Sequence, residues 1–182
     1  NKHVVARASY PVQIKNQVLE AGIQAYKGQF TLLSTTSGVG TATDKLYNDE
    51  RVGATFVLYP KPFGILAEYN IGRGPEYDKL TNSVIESPLK GGFITASYKL
   101  DFNGQTLIPF SRFQYYDGGK KHELDARSYE VKELEIGAEW QPNKNFELVV
   151  MYTMSARRFE DAANPVNYQR GNLLRIQAQV NF

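Results

Sequence analysis

The sequence predicts an all-β fold, an antiparallel transmembrane β-barrel. Three observations carry that expectation. Hydrophobicity alternates with period two along most of the chain, the mark of strands with two unlike faces. The alternating runs are roughly 8–12 residues long, longer than the ~5–6 of ordinary soluble strands and close to the ~9–11 that cross a bilayer. The connections alternate short and long, as in outer-membrane barrels with short periplasmic turns and long extracellular loops.

The first run sets Val4, Ala6, Ala8 and Tyr10 against His3, Val5, Arg7 and Ser9. The second sets Leu19, Ala21, Ile23 and Ala25 against Glu20, Gly22, Gln24 and Tyr26. Val52, Ala54, Phe56 and Leu58 oppose Gly53, Thr55, Val57 and Tyr59, and Ile65, Ala67, Tyr69 and Ile71 oppose Gly64, Leu66, Glu68 and Asn70. Ile94, Ala96, Tyr98 and Leu100 oppose Thr95, Ser97 and Lys99. Thr106–Tyr116 is noisier: Arg112 and Gln114 set its polar face, leaving Leu107, Pro109, Phe113 and Tyr115 on the other. Leu134, Ile136, Ala138 and Trp140 oppose Glu133, Glu135, Gly137 and Glu139. Phe146, Leu148, Val150, Tyr152, Met154 and Ala156 oppose Glu147, Val149, Met151, Thr153, Ser155 and Arg157. The last run is the clearest, with Leu174, Ile176, Ala178, Val180 and Phe182 against Leu173, Arg175, Gln177, Gln179 and Asn181.

These runs make about nine strands of bilayer-crossing length. Turn chemistry marks the short connections at Pro11–Gln17, Pro60–Pro62, Asp101–Gly104 and Gln141–Asn145. The long, polar connections are Gly28–Glu50, Gly72–Lys90, Asp117–Ser128 and Arg158–Gly171. A soluble sandwich has no reason to sort loop length by strand end.

Composition removes several alternatives. The chain has 182 residues, 42% hydrophobic and 22% charged, which excludes a disordered or collagenous chain. One β-barrel region over residues 1–182 is expected, with no linker. Lys+Arg number 21 against Asp+Glu 19, not the concentrated basic field of a nucleic-acid partner. With no Cys and two His, there is no disulfide framework or thiolate site, and no metal or cofactor is expected. Mean hydropathy is −0.43 and no run of about 18 apolar residues exists, which excludes a membrane helix. A membrane barrel averages out in this way because its faces alternate. No apolar stretch of signal length follows Asn1–Val4, so the expectation is that a secretion signal was removed or that the natural chain starts earlier.

The centres of the apolar rows carry no charge, as lipid requires. The opposite rows carry Arg7, Lys99, Arg112, Arg157 and Arg175, together with Glu20, Glu68, Glu133, Glu135, Glu139 and Glu147, as a wet lumen allows. Phe182 ends the chain in phase with its apolar face and resembles the C-terminal strand signature read by the barrel assembly machinery. It is therefore expected to be periplasmic. Tyr10, Phe63, Trp140 and Phe146 then fall near the periplasmic rim and Tyr69, Tyr115 and Tyr152 near the outer rim, two aromatic belts of the kind that membrane interfaces favour.

The chain resembles the phosphate-selective porin O and P family of Gram-negative outer membranes. The likeness rests on Gly72-Arg73-Gly74-Pro75-Glu76-Tyr77-Asp78, on Pro109-Phe110-Ser111-Arg112-Phe113-Gln114-Tyr115-Tyr116-Asp117-Gly118-Gly119-Lys120-Lys121, and on Ile136-Gly137-Ala138-Glu139-Trp140-Gln141-Pro142. It is strongest from Val52 onward. It implies a homotrimeric diffusion channel of about 16 strands whose constriction binds anions through Arg and Lys, with this chain as the C-terminal half. The strand count agrees: bacterial barrels have even numbers of strands and both termini at the periplasm, and an odd count leaves Asn1 outside. A hidden strand near Gln29–Thr36 is the alternative, but it breaks the short/long alternation.

The lumen cations are suited to anions, Arg through its bidentate fork. The facing glutamates outnumber them, so mixed pairing across the wall is expected. Glu133, Glu135 and Glu139 have no His or nucleophile beside them, so no enzymatic reaction is expected. The expectation is an outer-membrane porin passing small hydrophilic solutes, including anions such as phosphate, with membrane lipid and lipopolysaccharide as surroundings. Lys120-Lys121 and Arg157-Arg158 near the outer strand ends are candidates for lipopolysaccharide phosphates. The alternative is a non-channel barrel that anchors surface partners through its long loops.

Overall fold

The computed structural model describes residues 2–31, 46–120, 126–161, 163 and 165–181. The strands are β1 (Val4–Ile14), β2 (Gln17–Thr31), β3 (Leu46–Leu58), β4 (Phe63–Asp78), β5 (Ser83–Tyr98), β6 (Leu100–Phe102), β7 (Gln105–Gly119), β8 (Ser128–Asn143), β9 (Phe146–Glu160) and β10 (Asn167–Val180). They form one antiparallel sheet in the order β1-β2-β3-β4-β5-β7-β8-β9-β10, with β6 on β7. Each strand lies beside its chain neighbour, the up-and-down topology that tight turns impose. The sheet is open, with β1 and β10 as its edges.

β5 and β6 are a single crossing strand interrupted at Lys99. Ser97 opposes Phe110 and Leu100 opposes Leu107 in the same register on β7. That register puts Pro109 opposite Tyr98, where the β5–β7 ladder stops just before the gap, and a proline has no N–H to give the ladder. Nine crossing strands result, the number that the alternation predicts. β6 turns into β7 through Asn103-Gly104, which have φ of 49° and 76°, the two positive values of a type I′ hairpin turn.

The register keeps the two faces separate across every ladder. On one face Tyr10 opposes Ala21, Ala21 opposes Phe56, Phe56 opposes Ala67 and Ala67 opposes Ile94. The row continues through Phe113, Leu134 and Met154. This apolar face is the exposed one: Ile23 is 67% and Ile176 65% accessible. A soluble fold would bury such rows, and a barrel wall turns them toward lipid. On β9 the outward row from Phe146 to Ala156 covers roughly 34 Å of strand, which a ~40° tilt reduces to about 26 Å, the height of an outer-membrane apolar band. The expected rim aromatics, Tyr10, Phe63, Trp140, Phe146, Tyr69, Tyr115 and Tyr152, all share this outward parity.

The loop end departs from the sequence reading. Gly72–Lys90, expected as an irregular loop, is mostly ladder: β4 and β5 pair from Phe63↔Tyr98 out to Asp78↔Ser83. Only Lys79–Asn82 turn. Gly28–Thr31, Leu46–Glu50, Asp117–Gly119, Arg158–Glu160 and Asn167–Gly171 are likewise strand. Beyond the lipid band both faces meet water, so alternation fades while the backbone still satisfies itself by pairing. The proposed extra strand near Gln29–Thr36 has no place between β2 and β3, which pair directly from Leu19↔Leu58 to Thr31↔Leu46; Gln29–Thr31 belong to β2 and 32–36 lie outside the described residues. At the turn end, the short connection predicted at Pro11–Gln17 shrinks to Lys15-Asn16, and Gln141–Asn143 still belong to β8 after a bulge.

The distal part of the β4–β5 hairpin has lost its outer neighbours. The β3–β4 ladder stops at Glu50↔Arg73 and the β5–β7 ladder at Lys90↔Asp117. The hairpin leans over the ends of β7 and β8. The Tyr77 N–H donates to the Ala126 carbonyl at 2.9 Å and Ser128 Oγ to Glu76 Oε1 at 2.6 Å. Lys79 Nζ reaches Glu160 Oε1 on β9 at 3.2 Å. Tyr47, Tyr77, Val84 and Ala126 pack beneath it with Phe30, the buried apolar cluster at this end.

Candidate pore-lining site

The face opposite the lipid rows is polar and concave. Ladder partners place Arg7 opposite Gln24, Thr55 opposite Glu68, Thr95 opposite Arg112, Arg112 opposite Glu135, and Glu135 opposite Thr153. Glu20, Lys99, Glu133, Glu139, Glu147, Arg157 and Arg175 share this inward parity. Phe182, the expected assembly signal, lies outside the described residues.

The tightest group spans β7, β8 and β9. Glu133, whose side chain is 9% accessible, accepts from Arg157 Nη2 at 2.7 Å and from Ser155 Oγ at 2.7 Å. The Gln114 amide also donates to it. Arg157 Nε in turn donates to Ser155 Oγ at 3.0 Å. Three donors on one carboxylate fix its position.

Arg112 is held differently. Its Nη1 lies 4.0 Å from Glu135 Oε2, a long ion pair, while its guanidinium stacks 4.5 Å from the centre of the Phe93 ring. Its Nε is buried and has no hydrogen-bond partner among the described residues. Stacking on a ring face orients the fork without neutralising it.

The remaining charges divide between the two rims and the wall. Lys99 pairs with Asp101 at 3.1 Å beside the Asn103-Gly104 turn, and not with a lumen glutamate. Glu20 accepts from the Tyr59 hydroxyl at 3.3 Å near the same end. Glu68 accepts from Asn70 at 2.7 Å, and Asn70 accepts from Gln24 at 3.1 Å, a chain that reaches from β4 to β2 over Gly53 of β3. Glu139 accepts from the Gln141 amide. Arg7, Arg175 and Glu147 have no hydrogen bond or ion pair among the described residues. Of the expected cation–glutamate pairs the structure brings together Arg157 with Glu133 and, loosely, Arg112 with Glu135.

A concavity of about 460 Å³ opens on this wall, lined among others by Gln24, Tyr26, Arg51, Asn70, Gln114 and Tyr116. Arg51 is anchored by Asp49 at 3.2 Å, and Asp49 is fully buried. Sequence reading passed over this pair because it ended the strand at Val52. The signal was present: Tyr47, Asp49 and Arg51 continue the inward parity of Gly53 and Thr55. It was hidden because the opposite residues, Asn48 and Glu50, have ceased to be apolar. A second hollow of about 260 Å³ lies beside Glu133, Ser155, Arg157 and Gln169.

The wall offers amides, phenols, hydroxyls and braced charges. It holds no Cys, its one His among the described residues is His3 at the edge strand, where Nδ1 shares a hydrogen bond with the Tyr26 hydroxyl at 2.8 Å, and its carboxylates are spread along the wall instead of converging on one point. This arrangement can solvate polar molecules. Comparison with known families then decides the matter: the model of phosphate-selective porin O and P matches residues 1–182. The chain belongs to that family. That family is one of outer-membrane channels of Gram-negative bacteria and not of enzymes, and the open antiparallel sheet, with apolar rows out and polar rows in, fits its β-barrel fold. No curated protein and no solved structure matches the porin chain significantly.

Proposed function

We propose that the chain forms part of a water-filled passage for small hydrophilic solutes with a mild preference for anions such as phosphate. The observation that carries the reading is the segregation of the faces: the hydrogen-bonded polar rows line the concave side and the exposed apolar rows the other. The anion preference is supported by Arg112, which Phe93 holds mid-wall with its nearest carboxylate oxygen 4.0 Å away, and not by the balance of charge. Arg7 and Arg175 stand without partners among the described residues, but so does Glu147, and Glu20, Glu68 and Glu139 meet only neutral donors.

In this reading the open edges β1 and β10 are paired by further strands. Unpaired backbone N–H and C=O groups are not tolerated in hydrocarbon, so the nine crossing strands belong to a larger closed barrel of about 16. The β4–β5 hairpin narrows its outer mouth. The same ordered hairpin also favours a second reading, a barrel that presents surface loops to partners. Planar-bilayer recording separates the two: folded full-length protein that inserts and carries no ion current would sink the channel reading.

A further inference from the structure

On the outward face the chemistry changes at one level between β1 and β5. Val4, Ala6, Ala25, Val52 and Ile71 form an apolar patch across four strands. One step toward the loop end, Lys27, Glu50 and Arg73 follow in direct ladder succession, and Lys90 opposes Ile71. These residues line a groove of about 720 Å³. It runs on into a second of about 580 Å³ that shares Ala6, Ala25, Val52 and Ile71 and is almost wholly apolar. The furrow arises because the alanines stand lower than the valine, isoleucine and tyrosine side chains beside them.

The charges over the furrow are unbalanced. Lys27 and Glu50 pair with each other at 3.7 Å. Arg73 and Lys90 have no ion-pair partner among the described residues. Asp117, which opposes Lys90, pairs with Arg158 instead, at 4.0 Å. Two cations thus overhang an apolar trough at the height where the lipid band ends. Cations at an interface attract anionic headgroups while their stems lie on apolar surface, and Arg grips phosphate through two parallel hydrogen bonds.

We propose that this groove binds a phosphate-bearing, multiply acylated glycolipid of the outer leaflet, lipopolysaccharide, with its phosphates at Arg73 and Lys90 and an acyl chain in the Ala6–Ala25 furrow. The inference rests on the outer-membrane reading above, which puts the loop ends at the outer leaflet. It requires nothing of the lumen.

The test uses the full-length protein refolded in detergent and titrated with diphosphoryl lipid A, its dephosphorylated form and phosphatidylglycerol, with bound lipid read by native mass spectrometry. Diphosphoryl lipid A is expected to bind most tightly. The double variant Arg73→Gln/Lys90→Gln is expected to lose roughly tenfold or more in affinity, and Ala25→Phe, which fills the furrow, to lose a similar amount. Lys144→Gln, a cation removed at the opposite end, should bind as the parent does. Heat-dependent gel mobility confirms that each variant is folded. Unchanged affinity in both groove variants, or equal affinity for the dephosphorylated lipid or for phosphatidylglycerol, would overturn the proposal. A change in subunit number without loss of lipid would also overturn it, since the groove would then seat a second copy of the chain. Bilayer conductance of the same preparations tests the channel reading separately.

Discussion

Arg157 and Glu133 bind β9 to β8 across the inner wall, Nη2 to Oε1 at 2.7 Å, one step diagonally from the Glu133↔Ser155 ladder pair. The carboxylate is almost covered and the guanidinium half exposed. Removing the cation therefore leaves a nearly buried anion with only Ser155 and Gln114 as donors. Arg157→Ala is expected to cost on the order of 1–2 kcal/mol, read from urea unfolding in lipid vesicles. Arg157→Ala/Glu133→Gln should recover most of that loss. A double variant as unstable as the single one would show that the pair does not act as a unit.

Arg112 lies mid-strand on the same wall and keeps part of its charge unspent, with Glu135 at 4.0 Å and Phe93 stacked beneath it. Arg112→Ala is expected to shift the reversal potential in a salt gradient toward cations, with a modest change in conductance, because screening over ~10 Å at 0.1 M salt limits what a single charge does in a wide pore. An unchanged reversal potential would place Arg112 away from the constriction.

The two faces predict opposite tolerance for charge. Ala138→Arg or Val150→Arg puts a cation on the lipid side and is expected to cost about 2–4 kcal/mol near the midplane. Gln177→Arg, which opposes Val149 on the inward face, should fold as the parent does. Equal refolding yields in vesicles for both kinds of change would contradict the assignment.

Gly92 tests how closely the strands approach on the outward face between Tyr69 and Tyr115. A Cβ there would run into the backbone carbonyl of Glu68, which cannot swing aside. Gly92→Ala is expected to destabilise the barrel by about 1–3 kcal/mol. Gly171→Ala, where nothing lies within 4 Å, is the matched control and should be neutral or better.

The tip of the β4–β5 hairpin carries a pH dependence. The Asp78 carboxylate accepts from the Leu80 N–H at 3.1 Å and the Thr81 hydroxyl at 2.9 Å, and these bonds hold its pKa below the ordinary 3.8, the Leu80 N–H contributing most. A depressed carboxyl stabilises the fold fully above its unfolded value of ~3.9 and loses that contribution as pH falls through the lower folded value. The hairpin tip should therefore loosen only below about pH 4. The Asp78 side-chain carbon resonance should titrate with a midpoint below 3.8, and Asp78→Asn should abolish the acid-linked change at Thr81. A midpoint at or above the ordinary value would refute the assignment.

The sequence alone determined what a repeating one-dimensional pattern can encode. Leu174, Ile176, Ala178 and Val180 against Arg175, Gln177 and Gln179 state that the strand has a lipid side and a wet side. Repeated along the chain, that pattern gives the strand number, the up-and-down order and the inward parity of Arg112, Glu133 and Arg157. Two things required the tertiary structure. The first was where strands end beyond the membrane: at Gly72–Asp78 water bathes both faces, so the chain stops alternating though the backbone goes on pairing. The second was which charges meet. Parity puts Arg7, Arg112, Arg157 and Arg175 on one wall, but register, sheet curvature and side-chain reach decide that Arg157 closes on Glu133, that Arg112 leans on Phe93, and that Arg51 and the buried Asp49 join the wall. Those depend on the register and spacing of neighbouring strands and on the conformations of individual side chains, which no period along the chain records.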